Sequence, residues 1–193
     1  RMCLNNWGGI DHKVLEFHEY VNLFSGKSGS GKSTVMDAIQ VILYGSFSPS
    51  FLNKAADDAK NRRSVLSYLR GEQKDGSANR KDCDFCSVIA LEMEDTGTHI
   101  ITCIGIAFEV RKSDSEIKKF VYFSHSGKMP ESEYLTEQGV CYSNQEIKKL
   151  VSARTKSDDN RGKGEVNRIY GSKEAYLGTL YDVILGYIDQ NRF

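Results

Sequence analysis

Nine consecutive residues, 26–34, have the types and spacing that binding of a triphosphate requires. Their sequence, GKSGSGKST, matches the pattern G-x-x-x-x-G-K-[ST] in full. Its glycines allow backbone angles and close approach that a Cβ atom would block, so the backbone N–H groups can turn inward toward an anion. The candidate nucleotide-binding residues of this loop are Gly26, Lys27, Ser28, Gly29, Ser30, Gly31, Lys32, Ser33 and Thr34.

Four side chains of the loop have separate predicted positions. Lys32 should reach the β and γ phosphates, and the Ser33 hydroxyl should bind the Mg²⁺ ion that bridges them. Thr34 can add a hydrogen bond to the α phosphate. Lys27 can face phosphate or solvent, and we favour solvent. The predicted ligands are therefore ATP, or a close nucleoside triphosphate, and Mg²⁺.

The elements on either side decide between a true phosphate loop and a chance match in a Gly/Ser-rich turn. Residues 21–24 (VNLF) are a short apolar run, which predicts a buried strand leading into the loop. Lys32–Tyr44 predicts a helix whose positive end points at the phosphates. The apolar face of that helix consists of Val35, Ala38, Ile39, Ile42 and Leu43. This context favours the true phosphate loop.

The rest of the chain predicts an α/β fold with α+β character, in which an antiparallel sheet follows the phosphate loop. Strands are expected at Met2–Trp7, 13–17, Phe85–Glu94, 98–111 and 117–124. Helices are expected at 63–69, 144–154 and 172–188. Trp7 and the tyrosines are expected to fill the core and surface rather than to stack on bases.

Hydrolysis requires an acidic residue at the end of a buried apolar strand, and the chain offers only one close match. Glu92 follows four apolar residues, but the alternation continues to Glu94, which is typical of an antiparallel strand. We therefore assign no catalytic residue. The chain by itself is expected to bind nucleotide and to hydrolyse it poorly or not at all.

Composition restricts the partners only weakly. There are 26 basic and 26 acidic side chains, so the net charge of zero gives no general argument for nucleic acid. Residues 54–81 carry eight basic and four acidic side chains, and could meet DNA phosphates or face solvent. The five cysteines are an odd number, and Cys83 and Cys86 form half of a zinc pattern without a second pair. The absence of a signal peptide or long apolar run favours the cytoplasm.

The sequence resembles the N-terminal half-head of SMC-type ATPases, and within that group the JetC family, the SMC-like subunits of bacterial Wadjet plasmid-defence systems. The likeness covers nearly the whole chain, and is strongest over residues 6–71 and loosest over 125–170. The segments that carry it, besides the loop, are Asn6-Trp7, Phe17-His18-Glu19, residues 35–44 (VMDAIQVILY), residues 51–56 (FLNKAA), Tyr68-Leu69-Arg70-Gly71 and Leu180-Tyr181-Asp182-Val183. The chain starts at Arg1 with strand-like sequence, and we expect residues 1–193 to be the N-terminal lobe of a longer protein.

The resemblance implies a mechanism that no spacing in this chain shows. Two heads of a homodimer would enclose two ATP molecules, and a returning C-terminal lobe would supply the signature motif and the acidic residue. Kleisin, KITE-type and nuclease subunits and double-stranded DNA are the implied partners. Arg70 matches an arginine that SMC heads place near the phosphates, although a solvated charge at a helix end stays an alternative. The glutamine that completes the Mg²⁺ shell in the family has no convincing match here.

Two other functions compete with this interpretation. A nucleotide-gated interaction module would bind ATP without hydrolysing it, which describes the isolated chain well. A small P-loop kinase would need a phosphate-acceptor site and an arginine-rich lid, and we find neither in the sequence.

Overall fold

A six-stranded antiparallel sheet forms the centre of the computed structural model, which describes residues 1–52, 64–73, 76–158 and 166–186. The strands are β1 (Met2–Trp7), β2 (Ile10–Leu15), β3 (Phe85–Glu94), β4 (Ile101–Val110), β5 (Lys119–Ser126) and β6 (Arg168–Tyr170). Their order in the sheet is β2-β1-β3-β4-β5-β6, and every neighbouring pair is antiparallel. The predicted antiparallel sheet is thus confirmed.

Helices cover both faces of the sheet. They are α1 (Lys32–Tyr44), α2 (Val65–Arg70), α3 (Asn144–Asp158) and α4 (Lys173–Gly178), and α4 continues into a π-helical turn (Thr179–Ile184). A short 3₁₀ turn (Pro49–Phe51) follows α1. Within the described ranges, no helix has both the length and the apolar character needed to cross a membrane.

Alternation along the strands gives the sheet one apolar surface on each side. On β4, Ile104 and Ile106 belong to the core on one face, and Cys103 and Ala107 belong to the core on the other. Helices α1, α2 and α4 pack on the first face, whereas α3 packs on the second. The molecule is therefore a three-layer α/β/α arrangement, and α1 and α3 lie on opposite sides of the sheet.

Asn6 changes the direction of β1 where it approaches α1. Its φ of 55° lies in the left-handed region. Simple alternation would place Trp7 with Cys3 on the α3 side, but Trp7 instead joins the core cluster of α1 together with Leu4. Asn6 also donates from its side-chain nitrogen to the Cys86 carbonyl oxygen (2.7 Å). This turn of the backbone brings the indole under the phosphate loop helix, and Trp7 fills the core as predicted.

Helix α1 has the predicted bounds. Gly31 and Gly45, which flank it, adopt left-handed conformations with φ of 87° and 54°. Of the five residues predicted for its apolar face, three are buried and two are half-buried. The buried residues of α1 are Val35, Asp37, Ala38, Val41 and Ile42. Asp37 is the unexpected member of this set, since it is an acidic residue with no exposed surface.

Residues 21–24 do not form the predicted buried strand. The segment has no regular secondary structure and no sheet partner among the described residues, and the exposed fractions of Val21 and Leu23 are 78% and 89%. Tyr20 beside it is 87% exposed. A strand requires a neighbour that accepts its backbone hydrogen bonds, and none of the described strands pairs with this segment. Phe24 is half-buried and packs against the core beside Phe17, whereas Val21 and Leu23 face solvent.

The C-terminal helix prediction, residues 172–188, is correct only in part. Helical backbone begins at Lys173, after the Ser172 cap, but changes to a π-helical turn at Thr179. The helical run ends before Gly186, whose φ of 67° is left-handed. Residues 187–188 of the prediction lie outside the described residues. The other two helices agree with prediction within a few residues, although residue 63 also lies outside.

Candidate nucleotide-binding site

The phosphate loop stands at the surface, directly before α1. Residues 26–30 and Ser33 are exposed, whereas Gly31, Lys32 and Thr34 are half-buried. The φ angles of Gly26, Gly29 and Gly31 are all positive, at 152°, 83° and 87°. No atom lies within 4 Å of a Cβ built on Gly29 or Gly31, so at those two positions the backbone angle, rather than crowding, requires glycine. The loop has the left-handed turns that the sequence predicts.

The Lys32 ammonium lies across the loop. Its Nζ donates to the carbonyl oxygens of Gly26 (2.6 Å) and Lys27 (2.9 Å) and contacts the Ser30 hydroxyl at 3.3 Å. One cation therefore holds both ends of the loop together and keeps it closed on itself. A triphosphate would find this charge already inside the loop, where it would exchange carbonyl partners for phosphate oxygens. Lys27, in contrast, is exposed, and its side chain makes no such contact with the described residues.

The backbone amides of the loop supply the anion-binding groups. Within the part of the chain that the structure describes, the N–H groups of Gly29, Gly31 and Lys32 have no acceptor. Gly31 precedes α1 without a side-chain cap, and the first turn of α1 contains no acidic residue. The positive end of the helix and the unbonded amides thus favour an anion there. These groups fit a triphosphate, and the exposed Ser33 hydroxyl on the same turn fits a Mg²⁺ ligand.

The hairpin between β1 and β2 anchors the first turn of α1. The Trp7 indole Nε1 donates to the Thr34 carbonyl oxygen at 2.9 Å. Gly8 packs so closely on Thr34 that a Cβ at this position would lie 2.6 Å from the Thr34 methyl carbon. The Thr34 side chain therefore touches the hairpin, and Gly8 is required there by close approach as well as by its φ of 59°.

Helix α2 supports the same region from the other side. The Tyr68 hydroxyl donates to Oδ2 of the buried Asp37, and the Tyr68 ring stacks on Trp7 at a centroid distance of 5.1 Å. Arg80 donates to the Leu69 carbonyl oxygen (2.9 Å), to the Gly8 carbonyl oxygen and to Asp11 Oδ1 (2.7 Å). Burial lowers the pKa of Arg80, and the Asp11 carboxylate opposes that shift.

The sequence analysis assigns no supporting role to these residues, although Trp7, Asp37 and Tyr68 lie in segments that carry the family resemblance. One signal was present: Asp37 is an acidic residue on the apolar side of α1, and a buried acid requires a donor. The donor to Asp37 is Tyr68 on α2, 31 residues further along the chain. The partner could not be read from spacing along α1.

Arg70 ends α2 and turns toward the loop after β4. Its guanidinium donates to the carbonyl oxygens of Lys112 (3.2 Å) and Asp114. Its Nε is buried and has no partner in the described structure. The residue is therefore half-buried and bonded to backbone, which differs from a fully solvated charge. Its contact with phosphate stays a prediction.

Glu92 lies in an unsuitable place for a catalytic acid. It is on the α3 face of the sheet, where its Oε2 accepts from the Met129 amide (2.7 Å) and lies 3.9 Å from Arg1. Helix α1 and the loop pack on the opposite face. Strand β3 pairs antiparallel with both neighbours, as its alternation predicts.

The described residues contain no group of three or more His, Cys, Asp or Glu side chains placed to bind a metal. All five cysteines are free. Burial raises the pKa of Cys86 to about 11, and Cys83 is exposed.

Comparison with known proteins agrees with this geometry. Residues 1–59 match the family described as the P-loop containing region of AAA domain. The chain is also 33% identical over 73 residues to SbcC, a subunit of the nuclease SbcCD, of Staphylococcus haemolyticus (strain JCSC1435). That match covers 36% of this chain and 6% of the relative, so the chain spans only a small part of the length of that protein.

The matched family region contains β1, β2, the loop and α1, which are the elements that build the site. The fold is that of the N-terminal lobe of a P-loop NTPase head, with an antiparallel sheet beside the loop. A P-loop region implies a bound nucleotide, usually with Mg²⁺.

Proposed function

We propose that this chain is the ATP-binding N-terminal lobe of an SMC-like head that translocates double-stranded DNA, in bacterial plasmid defence or in chromosome or plasmid maintenance. The observation that carries the proposal is the loop itself. Unbonded amides, the Lys32 ammonium and the Ser33 hydroxyl converge on one exposed turn at the start of α1. The plasmid-defence role rests on the resemblance to the JetC family.

A C-terminal lobe of the same protein would complete the site. Tyr20, Val21 and Leu23 present apolar side chains to solvent directly before the loop. A strand added beside this segment would bury them and would accept its backbone hydrogen bonds. The same lobe would bring the acidic residue for hydrolysis, and a second head would close over the nucleotide. The implied kleisin, KITE-type and nuclease subunits would bind to such a dimer in the cytoplasm.

Helix α3 offers an exposed basic surface that fits DNA phosphates. Lys148, Lys149 and Lys156 are exposed on one side of it and line a depression of about 420 Å³. No ion pair joins these lysines to a carboxylate within the described residues. Since α3 and α1 lie on opposite faces of the sheet, DNA on α3 would leave the loop open. The basic segment predicted from sequence, 54–81, falls partly outside the described residues, and Arg70 and Arg80 within it bond to backbone.

An ATPase assay with and without the C-terminal lobe tests the proposal. The chain alone should bind Mg-ATP and show almost no turnover, and adding the lobe as a separate polypeptide should produce hydrolysis that Lys32→Ala abolishes. An interaction module that only binds ATP would stay inactive in both samples. Rapid hydrolysis by the isolated chain would contradict the half-head assignment and favour a self-contained P-loop enzyme.

A further inference from the structure

We propose that Tyr68 is a positioning residue for the phosphate loop: from α2 it holds the first turn of α1, and with it Lys32 and Ser33, in the arrangement that binds phosphate. This inference rests on the proposed function, because it assigns a role in nucleotide binding. The loop and the helix that follows it differ in burial. Residues 26–30 are exposed and cannot hold themselves in place through burial, so the contacts of α1 determine where the loop points.

Two of these contacts act on Thr34, in the first turn of α1. The Trp7 indole donates to its carbonyl oxygen at 2.9 Å, and Gly8 packs on its methyl group. Trp7 has no exposed surface, and its ring lies within 6° of parallel to the ring of Tyr68. The ring of Tyr68 therefore orients the Trp7 indole, whose Nε1 donates to the Thr34 carbonyl oxygen.

The third contact acts on Asp37, almost one turn further along α1. Its carboxylate is fully buried among apolar residues, where an unpaired charge would be costly, and the Tyr68 hydroxyl donates to it. Tyr68 also accepts the Gly8 amide at its own carbonyl oxygen (2.8 Å). One residue thus contacts the hairpin through its backbone and ring and contacts α1 through its hydroxyl.

Helix α2 is itself fixed by groups that are separate from the loop. Arg80 donates to the carbonyl oxygens of Leu69 and Gly8, and joins α2 and the hairpin into one unit. Gly71, which follows α2, approaches the hairpin so closely that an added Cβ would lie 2.6 Å from the Gly8 carbonyl oxygen. Tyr68 therefore connects a rigid unit to the helix that carries the nucleotide-binding side chains.

Tyr176 provides a matched control for the hydroxyl of Tyr68. It is also buried, and its hydroxyl also bonds to α1, but at the Ile42 carbonyl oxygen near the other end of the helix (2.9 Å). Tyr68→Phe and Tyr176→Phe each remove one buried hydroxyl that bonds to α1, so each should lower the thermal midpoint. Only Tyr68→Phe should weaken Mg-ATP binding, by about tenfold, because its hydrogen bond is to a charged group near the loop.

Equilibrium titration of Mg-ATP into the wild-type chain and both variants decides the matter. Equal affinity in all three would overturn the positioning role, and equal weakening in both variants would assign the effect to stability alone. If Tyr68→Phe fails to fold, Trp7→Phe keeps an aromatic ring, removes the donor to Thr34 and should weaken binding in the same direction. A wild-type chain that binds no nucleotide would instead contradict the proposed function, which is a separate outcome.

Discussion

At the level of single residues, the site depends on backbone angles as much as on side chains. Gly31 has a φ of 87° where the loop enters α1, and it leaves the first amides of the helix without a cap. An L side chain in this conformation is strained by about 1–2 kcal/mol, even though the surrounding space is open. The Lys32 ammonium then holds the loop closed through two carbonyl oxygens.

Gly31→Ala should therefore lower the free energy of unfolding by about 1–2 kcal/mol and weaken Mg-ATP binding, because the strained turn would move the amides. Urea unfolding and a nucleotide titration measure the two effects. Gly9→Ala is the matched control: its φ is not in the left-handed region, no atom lies within 4 Å of an added Cβ, and it should change neither quantity. Equal effects at both positions would contradict the role of the backbone angle.

A second residue-level prediction concerns His125, which is fully buried on the α3 side of the sheet. Its Nδ1 donates to the Ser126 carbonyl oxygen and its Nε2 accepts from the Tyr134 hydroxyl, both at 3.0 Å, so the ring is held neutral. Burial, with a further contribution from Arg154, lowers its pKa from 6.5 to about 4.

The unfolded chain therefore binds a proton between pH 6.5 and 4 that the folded chain does not bind. The free energy of unfolding should fall as the pH falls through this range, by roughly 3 kcal/mol from this group alone. His125→Gln should flatten the pH dependence of urea unfolding. The same change at His99, which is exposed, should leave it intact; a wild-type slope in His125→Gln would show that another group is responsible.

At the level of elements, the sequence predicts α1, β1 and the antiparallel strands because their patterns are local, although it places β2 at 13–17 rather than at Ile10–Leu15. Alternation of apolar and polar residues predicts the strands, and the glycines at either end of α1 predict the bounds of that helix. It could not predict that Asn6 would turn Trp7 toward α1, since a left-handed asparagine has no periodic signal. It could not predict the pairing of Tyr68 with Asp37, which depends on how α2 packs. The buried strand predicted at residues 21–24 is wrong, because an apolar run forms a buried strand only where another strand pairs with it.

The exposure of this segment gives a test on the isolated chain. Leu23→Ala should change the free energy of unfolding by less than about 0.5 kcal/mol, because its side chain is 89% exposed. Ile42→Ala, on the buried face of α1, should cost about 2–5 kcal/mol. Chemical denaturation compares the two. A large loss for Leu23→Ala would mean that residues 21–24 are covered within the chain itself.

The basic side of α3 gives a second test at this level. Replacing Lys148, Lys149 and Lys156 by glutamine should weaken double-stranded DNA binding and reduce the slope of log affinity against log salt by up to about three. Lys112→Gln with Lys118→Gln is the matched control, because these lysines already pair with Asp82 and Asp114. A greater loss in the control variant would move the DNA surface away from α3. Fluorescence anisotropy at several salt concentrations measures both.

For the whole molecule, a sheet covered on two faces separates the two activities we propose. Nucleotide would bind beside α1 on one face, and DNA would bind along α3 on the other. The acidic residue nearest to the expected pattern, Glu92, accepts from the Met129 amide on the α3 face, so under our proposal a carboxylate from another lobe would serve hydrolysis at the loop. In the proposed arrangement the described lobe would bind the nucleotide, and a further lobe would act on it.

Equilibrium titration of Mg-ATP into the purified chain measures whether the phosphate loop binds a nucleotide. Wild type should bind one nucleotide saturably, Lys32→Ala should bind it roughly 100-fold more weakly because it loses the charge on the phosphates, and Lys27→Ala should bind as wild type does. A wild-type chain without saturable binding, or a Lys32→Ala variant with wild-type affinity, would contradict the assignment of residues 26–34 as a nucleotide-binding loop.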